Sequence, residues 1–229
     1  MQQPFKIVVT TSDKYHHILP MFFHLFNKFW GEETEFDLVG YKIPEMELPK
    51  NCVFVSRGVQ PERLDQWGTT LREYFSKQPD YFIWMMEDTF IYHTVNHYVL
   101  WLCKDVVTDK RVGRIALSDY SIDQYTNDYS TISGVKLFRT NELSKYNLST
   151  QIALWNKDYL LRYLKNDMTP WEFESQRKHI DGFMNVCFEK EYCPVIHNEG
   201  VRVRDIYKFN TENFSTGLIN ELKNQKILC

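Results

Sequence analysis

The chain opens on Phe5-Lys6-Ile7-Val8-Val9-Thr10, a β-branched apolar run that stops at the polar cluster Thr11-Ser12-Asp13. This pattern predicts a buried strand followed by a loop able to cap a helix. Tyr15 to Trp30 then shows a broad apolar face at helical spacing and ends at Gly31, with Pro20 expected to kink the helix. Phe36 to Tyr41 and Asn51 to Val55 read as strands, the latter ending at Ser56-Arg57-Gly58. Pro61 opens a helix through about Gln78, in which Leu64, Trp67, Leu71 and Tyr74 recur on one face. Tyr81-Phe-Ile-Trp-Met-Met86 is almost wholly apolar, as expected of a strand buried on both faces, and breaks off at Glu87-Asp88.

Beyond Asp88 the periodicity predicts a helix over Val95 to Val107 and strands over Val112 to Leu117, Gly134 to Arg139, Thr150 to Trp155 and Cys193 to His197. Short helices are predicted over Asn156 to Leu164 and Pro170 to His179, and a last helix over Glu212 to Lys223. The polar, Tyr- and Asp-rich stretch Asp119 to Ser133 reads as a loop over a site. Strands alternating with helices imply an α/β fold, with an open, mostly parallel sheet flanked by helices. With no repeat or linker in the sequence, residues 1–229 read as a single domain.

In such sheets ligands collect beyond the carboxyl ends of the strands. Three polar groups fall there: Thr10 to Asp13, Ser56-Arg57 and Glu87-Asp88. Adjacent carboxylates repel unless a cation or a donor sits between them, and hard ions such as Mg²⁺ and Mn²⁺ take oxygen ligands and bridge phosphates. The competing reading has Asp88 capping the next helix and Glu87 solvated. Neither GxGxxG nor GxxxxGK[ST] occurs, which removes the main support for a dinucleotide oxidoreductase or a P-loop NTPase.

Composition narrows the picture further. Apolar residues make up 43% of the chain and aromatic ones 16%, enough for a substantial core with some aromatic rings left to stack on ligands. With 27 Lys and Arg against 30 Asp and Glu, the net charge of −3 gives no global cationic field to draw the chain onto nucleic acid. The five Cys form no CxxC pair and read as reduced thiols. Neither a signal peptide nor an integral membrane segment is predicted, so a cytoplasmic protein is expected.

The run Tyr81 to Phe90 resembles the strand and acidic motif of GT-A glycosyltransferases, here as Glu87-Asp88-Thr89 where the usual form is Asp-x-Asp. Leu148-Ser-Thr-Gln-Ile-Ala-Leu-Trp155, Tyr159-Leu160 and Thr169-Pro-Trp-Glu-Phe-Glu174 are similar to small glycosyltransferases of bacterial surface-polysaccharide clusters and of large phages. The resemblance covers about residues 5 to 200. It implies a GT-A-like, Rossmann-like domain with a nucleotide-sugar-binding half, about 1–90, and an acceptor-binding half, about 91–229.

Roles follow by position. The resemblance implies that Thr10, Thr11 and Asp13 meet the base and ribose of the donor, a UDP-sugar foremost. Arg57 would meet the base or the diphosphate. Asp88 with Glu87 would hold Mn²⁺ or Mg²⁺ on the diphosphate, and His197 would add a metal ligand unless it is a packed or surface histidine. Gln151 and Trp155 would lie beside a sugar, Trp155 otherwise being core. Trp171 would offer a stacking face.

An inverting transfer needs a base for the acceptor hydroxyl. Glu174 is the first candidate, then Glu172 and Asp181; the alternative for the two glutamates is a pair of solvated helix-start acids. The acceptor would be a surface glycan or a hydroxymethylated base of phage DNA, in a bacterial or phage-infected cytoplasm. A nucleotidyltransferase and a non-catalytic nucleotide- or glycan-binding module are the competing functions.

Overall fold

In the computed structural model, the described residues are 3–118, 125–141, 147–176, 182–190, 192–197, 211 and 213–228, with the backbone alone at 125–127 and 196–197. The first half runs β1 (Lys6–Thr10), a 3₁₀ turn (Asp13–Ile18), α1 (Leu19–Phe29), β2 (Phe36–Gly40), β3 (Cys52–Ser56), a second 3₁₀ turn (Leu64–Gln66), α2 (Trp67–Phe75) and β4 (Tyr81–Met86). There follow β5 (Thr89–Ile91), α3 (His97–Val106), β6 (Val112–Ala116), β7 (Tyr125–Ile132), β8 (Val135–Thr140), β9 (Ala153–Asn156), α4 (Lys157–Tyr163), α5 (Pro170–Ser175), β10 (Met184–Phe188), β11 (Val195–His197) and α6 (Thr216–Asn224). Pro20 lies in the first turn of α1, where its missing N–H costs no hydrogen bond, so the predicted kink becomes a helix start.

Nine strands form one sheet in the order β3-β2-β1-β4-β9-β6-β10-β8-β7, and β5 and β11 make a separate pair. The sheet is mixed, which corrects the expectation of a mostly parallel one. β3, β2, β1 and β4 are parallel neighbours, but β9 runs antiparallel between β4 and β6, and β8 runs antiparallel between β10 and β7. An apolar run reads as a buried strand whichever way it points, so periodicity alone carries no direction.

Strand alternation sends side chains into two cores. Ile7, Val9, Ile83, Met85, Ile115 and Leu154 pack with α1, α3 and α6. Val8, Phe82, Trp84, Ala153 and Trp155 pack with α2, α4 and α5 on the other face. The sheet is therefore the middle of three layers, which is why β4 is apolar at nearly every position.

The expected loop at Asp119 to Ser133 contains β7 instead. Ser133 (φ 50°) and Gly134 (φ 80°) turn it into β8, with Ile132 paired to Val135. Two consecutive positive φ values match the two-residue turn whose twist suits a hairpin.

Candidate functional site

The strand order reverses at β1 and β4: from β1 the chain moves outward through α1 to β2, and β4 returns on β1's other side. Such a reversal opens a crevice at the carboxyl ends of the two strands. Thr10 is paired with Met86 there, and the Glu87 N–H donates to the Thr10 carbonyl at 3.2 Å. Thr11 N–H donates to Val39 O (2.9 Å) and Arg57 N–H to Gly40 O (2.7 Å), so three loops leave the sheet at one level. Gly40 makes this approach possible, since a Cβ there would stand 2.9 Å from Thr11 Cγ2.

Glu87 turns inward and is 2% exposed. Its carboxyl accepts hydrogen bonds from the Thr11 side chain and the Ser12 N–H, while Oε2 has no partner. Burial first, and then the neighbouring charge of Asp88, push this carboxyl up to about 8. Asp88 lies next to it, half-buried at the rim.

The Arg57 guanidinium stacks 4.1 Å over the Tyr41 ring. Its Nη1 donates to Thr70 Oγ1 (3.1 Å) and its Nη2 to Thr11 O (3.3 Å). Burial lowers its proton affinity, against the opposing pull of Tyr41, Glu87 and Asp13. Asp13 Oδ1 accepts from Lys42 N (3.0 Å), and Asp13 N–H donates to Gln60 Oε1 (3.0 Å). The Thr10 side chain turns inward: its Oγ1 accepts from Trp84 Nε1 (3.0 Å) inside the sheet-helix layer. Thr11, Asp13, Arg57, Glu87 and Asp88 are thus gathered around one crevice, with Tyr41, Gln60 and Thr70 supporting them.

A second group lies beside it. β9 pairs antiparallel with β4 as far as Trp84 opposite Ala153, so the chain entering β9 through Thr150 and Gln151 passes the same end of β4. Glu174 Oε1 accepts from Thr150 N (2.7 Å) and Thr150 Oγ1 (2.6 Å), and among the described residues its Oε2 makes no hydrogen bond. Glu172 points elsewhere. It closes a capping box at the start of α5, with Oε2 accepting from Thr169 N (2.8 Å) and Thr169 Oγ1 (2.9 Å). Those two bonds hold its carboxyl below the usual glutamate range.

Trp155 is fully buried among Trp84, Tyr159 and Phe173 and offers no face to solvent, whereas Trp171 is 65% exposed. Asp181 lies outside the described residues. Among the described residues no three His, Cys, Asp or Glu side chains form a group able to hold a metal ion. His197 belongs to β11, where its backbone pairs with Thr89, one residue beyond Asp88; its side chain lies outside the described residues.

Arg114 and Asn185 are also functional candidates. Arg114 is the single charge in the buried strand Val-Gly-Arg-Ile-Ala, 2% exposed, and burial draws it down to about 10. A charge interrupting an apolar strand is the signal by which the sequence marks it.

No protein-family model matches the chain, and no curated protein matches it. Among solved structures, HddC from Yersinia pseudotuberculosis superposes with a TM-score of 0.49 at 10% identity, over 84% of this chain and 93% of that one. A similarity of that degree says nothing about activity here. No helix among the described residues is long and apolar enough to cross a membrane.

Proposed function

We propose that the chain is a nucleotide-sugar-dependent glycosyltransferase acting on a glycan hydroxyl. The observation that carries this reading is the acidic pair Glu87-Asp88 at the end of β4, inside the β1/β4 crevice and beside Thr11 and Arg57. The exposed side of the crevice suits the nucleotide, with a UDP-sugar as the first donor to try. Arg57 supplies positive charge for a diphosphate.

The reaction breaks the bond between the anomeric carbon and the diphosphate oxygen and forms one from that carbon to the acceptor oxygen. The electron pair leaves with the diphosphate, and the acceptor proton passes to a base. Glu174 fits that role: Oε1 is anchored by Thr150, Oε2 remains for the proton, and the chain holding it runs past the same end of β4.

A divalent cation would relieve the charge on the leaving diphosphate. One or two protein carboxylates can hold such an ion when phosphates complete its shell, and Asp88 at the rim fits that share. Glu87, buried and bonded to the Thr11-Ser12 loop, instead sets the shape of the loop.

The test is a hydrolysis and transfer screen over UDP-, GDP-, CMP- and dTDP-sugars with and without Mn²⁺. Turnover of one donor class, lost in Asp88→Asn with the melting temperature shifted by no more than a few degrees, is the expected result. Binding of a nucleotide without any turnover would favour a non-catalytic module. Full activity of Asp88→Asn would remove the acidic pair from the chemistry.

A further inference from the structure

Arg114 is buried in the middle of the sheet and makes no ion pair among the described residues. In the ladders it sits opposite Trp155 of β9 on one side and Asn185 of β10 on the other, so the three side chains form one row on the face covered by α4 and α5. The guanidinium lies 5.1 Å over the Trp155 ring. Its single hydrogen bond is a long one, from Nη2 to the Gln151 carbonyl at 3.5 Å, and Nε has no partner. Among the described residues the carboxylate it senses is that of Glu174, which is not in ion-pair contact with it. Three further buried atoms around it are unpartnered: Gln151 Oε1, Asn185 Oδ1 and Trp155 Nε1. An unpaired buried charge is strongly unfavourable, and buried polar atoms are almost always satisfied. One cation, one indole donor and two amide acceptors left open together are the complement of a ligand.

The kinds of atom define the ligand. A guanidinium edge carrying a free Nε–H matches a planar carboxylate. The two amide oxygens can only accept, so they oppose a multiply charged phosphate and welcome hydroxyl donors. The indole N–H can donate to a ring or hydroxyl oxygen. A carboxylate and several hydroxyls on one small molecule describe an acidic sugar. We propose that Arg114, Gln151, Asn185 and Trp155 bind the carboxylate and hydroxyl groups of an acidic sugar, such as a uronic acid. Glu174, anchored on Thr150 beside Gln151 and close enough for Arg114 to sense its charge, is the half-exposed residue next to this buried row. That neighbour makes the bound sugar the acceptor, a step that rests on the transfer reaction proposed above; the binding itself does not.

The full chain is titrated with galacturonate, glucose and inorganic phosphate, reading tryptophan fluorescence and melting temperature, with UDP binding followed on the same samples. Galacturonate should change the fluorescence saturably and raise the melting temperature, with glucose at least about tenfold weaker and phosphate without effect. Arg114→Met should abolish the galacturonate response while the unliganded protein melts at the same or a higher temperature, because an apolar side chain of similar size suits an uncompensated buried site. Gln151→Glu, which brings a carboxylate to Arg114, should also abolish it and serves should Arg114→Met fold poorly. UDP binding should survive in both variants. Its absence from the wild-type chain would count against the donor site and not against binding at Arg114. The proposal is overturned if the wild-type chain ignores galacturonate, if glucose or phosphate binds as well, or if folded variants respond as the wild type does.

Discussion

Two glutamates of the site differ in their surroundings and should respond differently to the same substitution. Glu174 keeps one oxygen on Thr150 and has the other open for the proposed transfer. Loss of a positioned base typically costs about 10² to 10⁴ in rate, so Glu174→Gln should lower kcat by roughly that factor with donor Kd nearly unchanged, as steady-state kinetics and donor titration would show. Comparable loss in Glu172→Gln would shift the role to the capping glutamate. Glu87 is a matter of stability. Its folded carboxyl titrates near 8, well above an unfolded glutamate, so between those values the folded state binds more protons than the unfolded one. Stability from this group is therefore full at acid pH and declines as pH rises toward 8. Glu87→Gln keeps the acceptor oxygen and removes the ionisation. Melting curves should nearly coincide at pH 5 and separate at pH 8.5, with the variant higher by at least about 5 °C. A variant that melts lower than wild type at pH 8.5 would mean that the charged form is the one the fold holds.

At the scale of elements, α5 illustrates how a short helix is fixed well enough to carry a functional group. Thr169 caps it, Pro170 opens it, Glu172 closes the capping box and Phe173 anchors it between Trp67, Trp84 and Trp155. Thr169→Ala removes a cap worth about 1 kcal/mol, which for a domain of this size lowers the melting temperature by about 2–4 °C. Calorimetry would register it, and an unchanged midpoint would mean that packing of Phe173 alone sets the helix. The Thr-Pro-x-Glu signature made this start legible in the sequence, as Gly31 (φ 121°) made the end of α1 legible. The buried strands β1 and β4 were equally plain. β10 and β5 were not read as strands, although Gly182 (φ 82°) marks a turn just before the apolar run of β10. β7 was hidden because its Thr, Ser, Asn and Asp residues look like a loop, although Ser133-Gly134 followed by alternating Val135 and Leu137 carried the hairpin signal. The direction of β9 had no local signature, because pairing to β4 and β6 is a tertiary choice. In the site, the polar groups after β1, β3 and β4 could be placed from strand ends alone. The inward turn of Glu87, the burial of Trp155 and the solitary charge of Arg114 depend on which side of each strand faces which helix.

For the molecule as a whole, a parallel half built of β3, β2, β1 and β4 and a mixed half beyond β9 share one continuous sheet. The crevice lies where the strand order reverses, and the chain entering β9 brings Thr150, Gln151 and Glu174 to its border. On the proposed reading, nucleotide and acceptor lie in different halves. Hydrogen exchange with and without a UDP-sugar tests that assignment most directly. Slowed exchange should appear at 10–13, 56–60 and 87–89, the loops that leave β1, β3 and β4. Protection confined to residues beyond Val135, with those three loops unchanged, would contradict it.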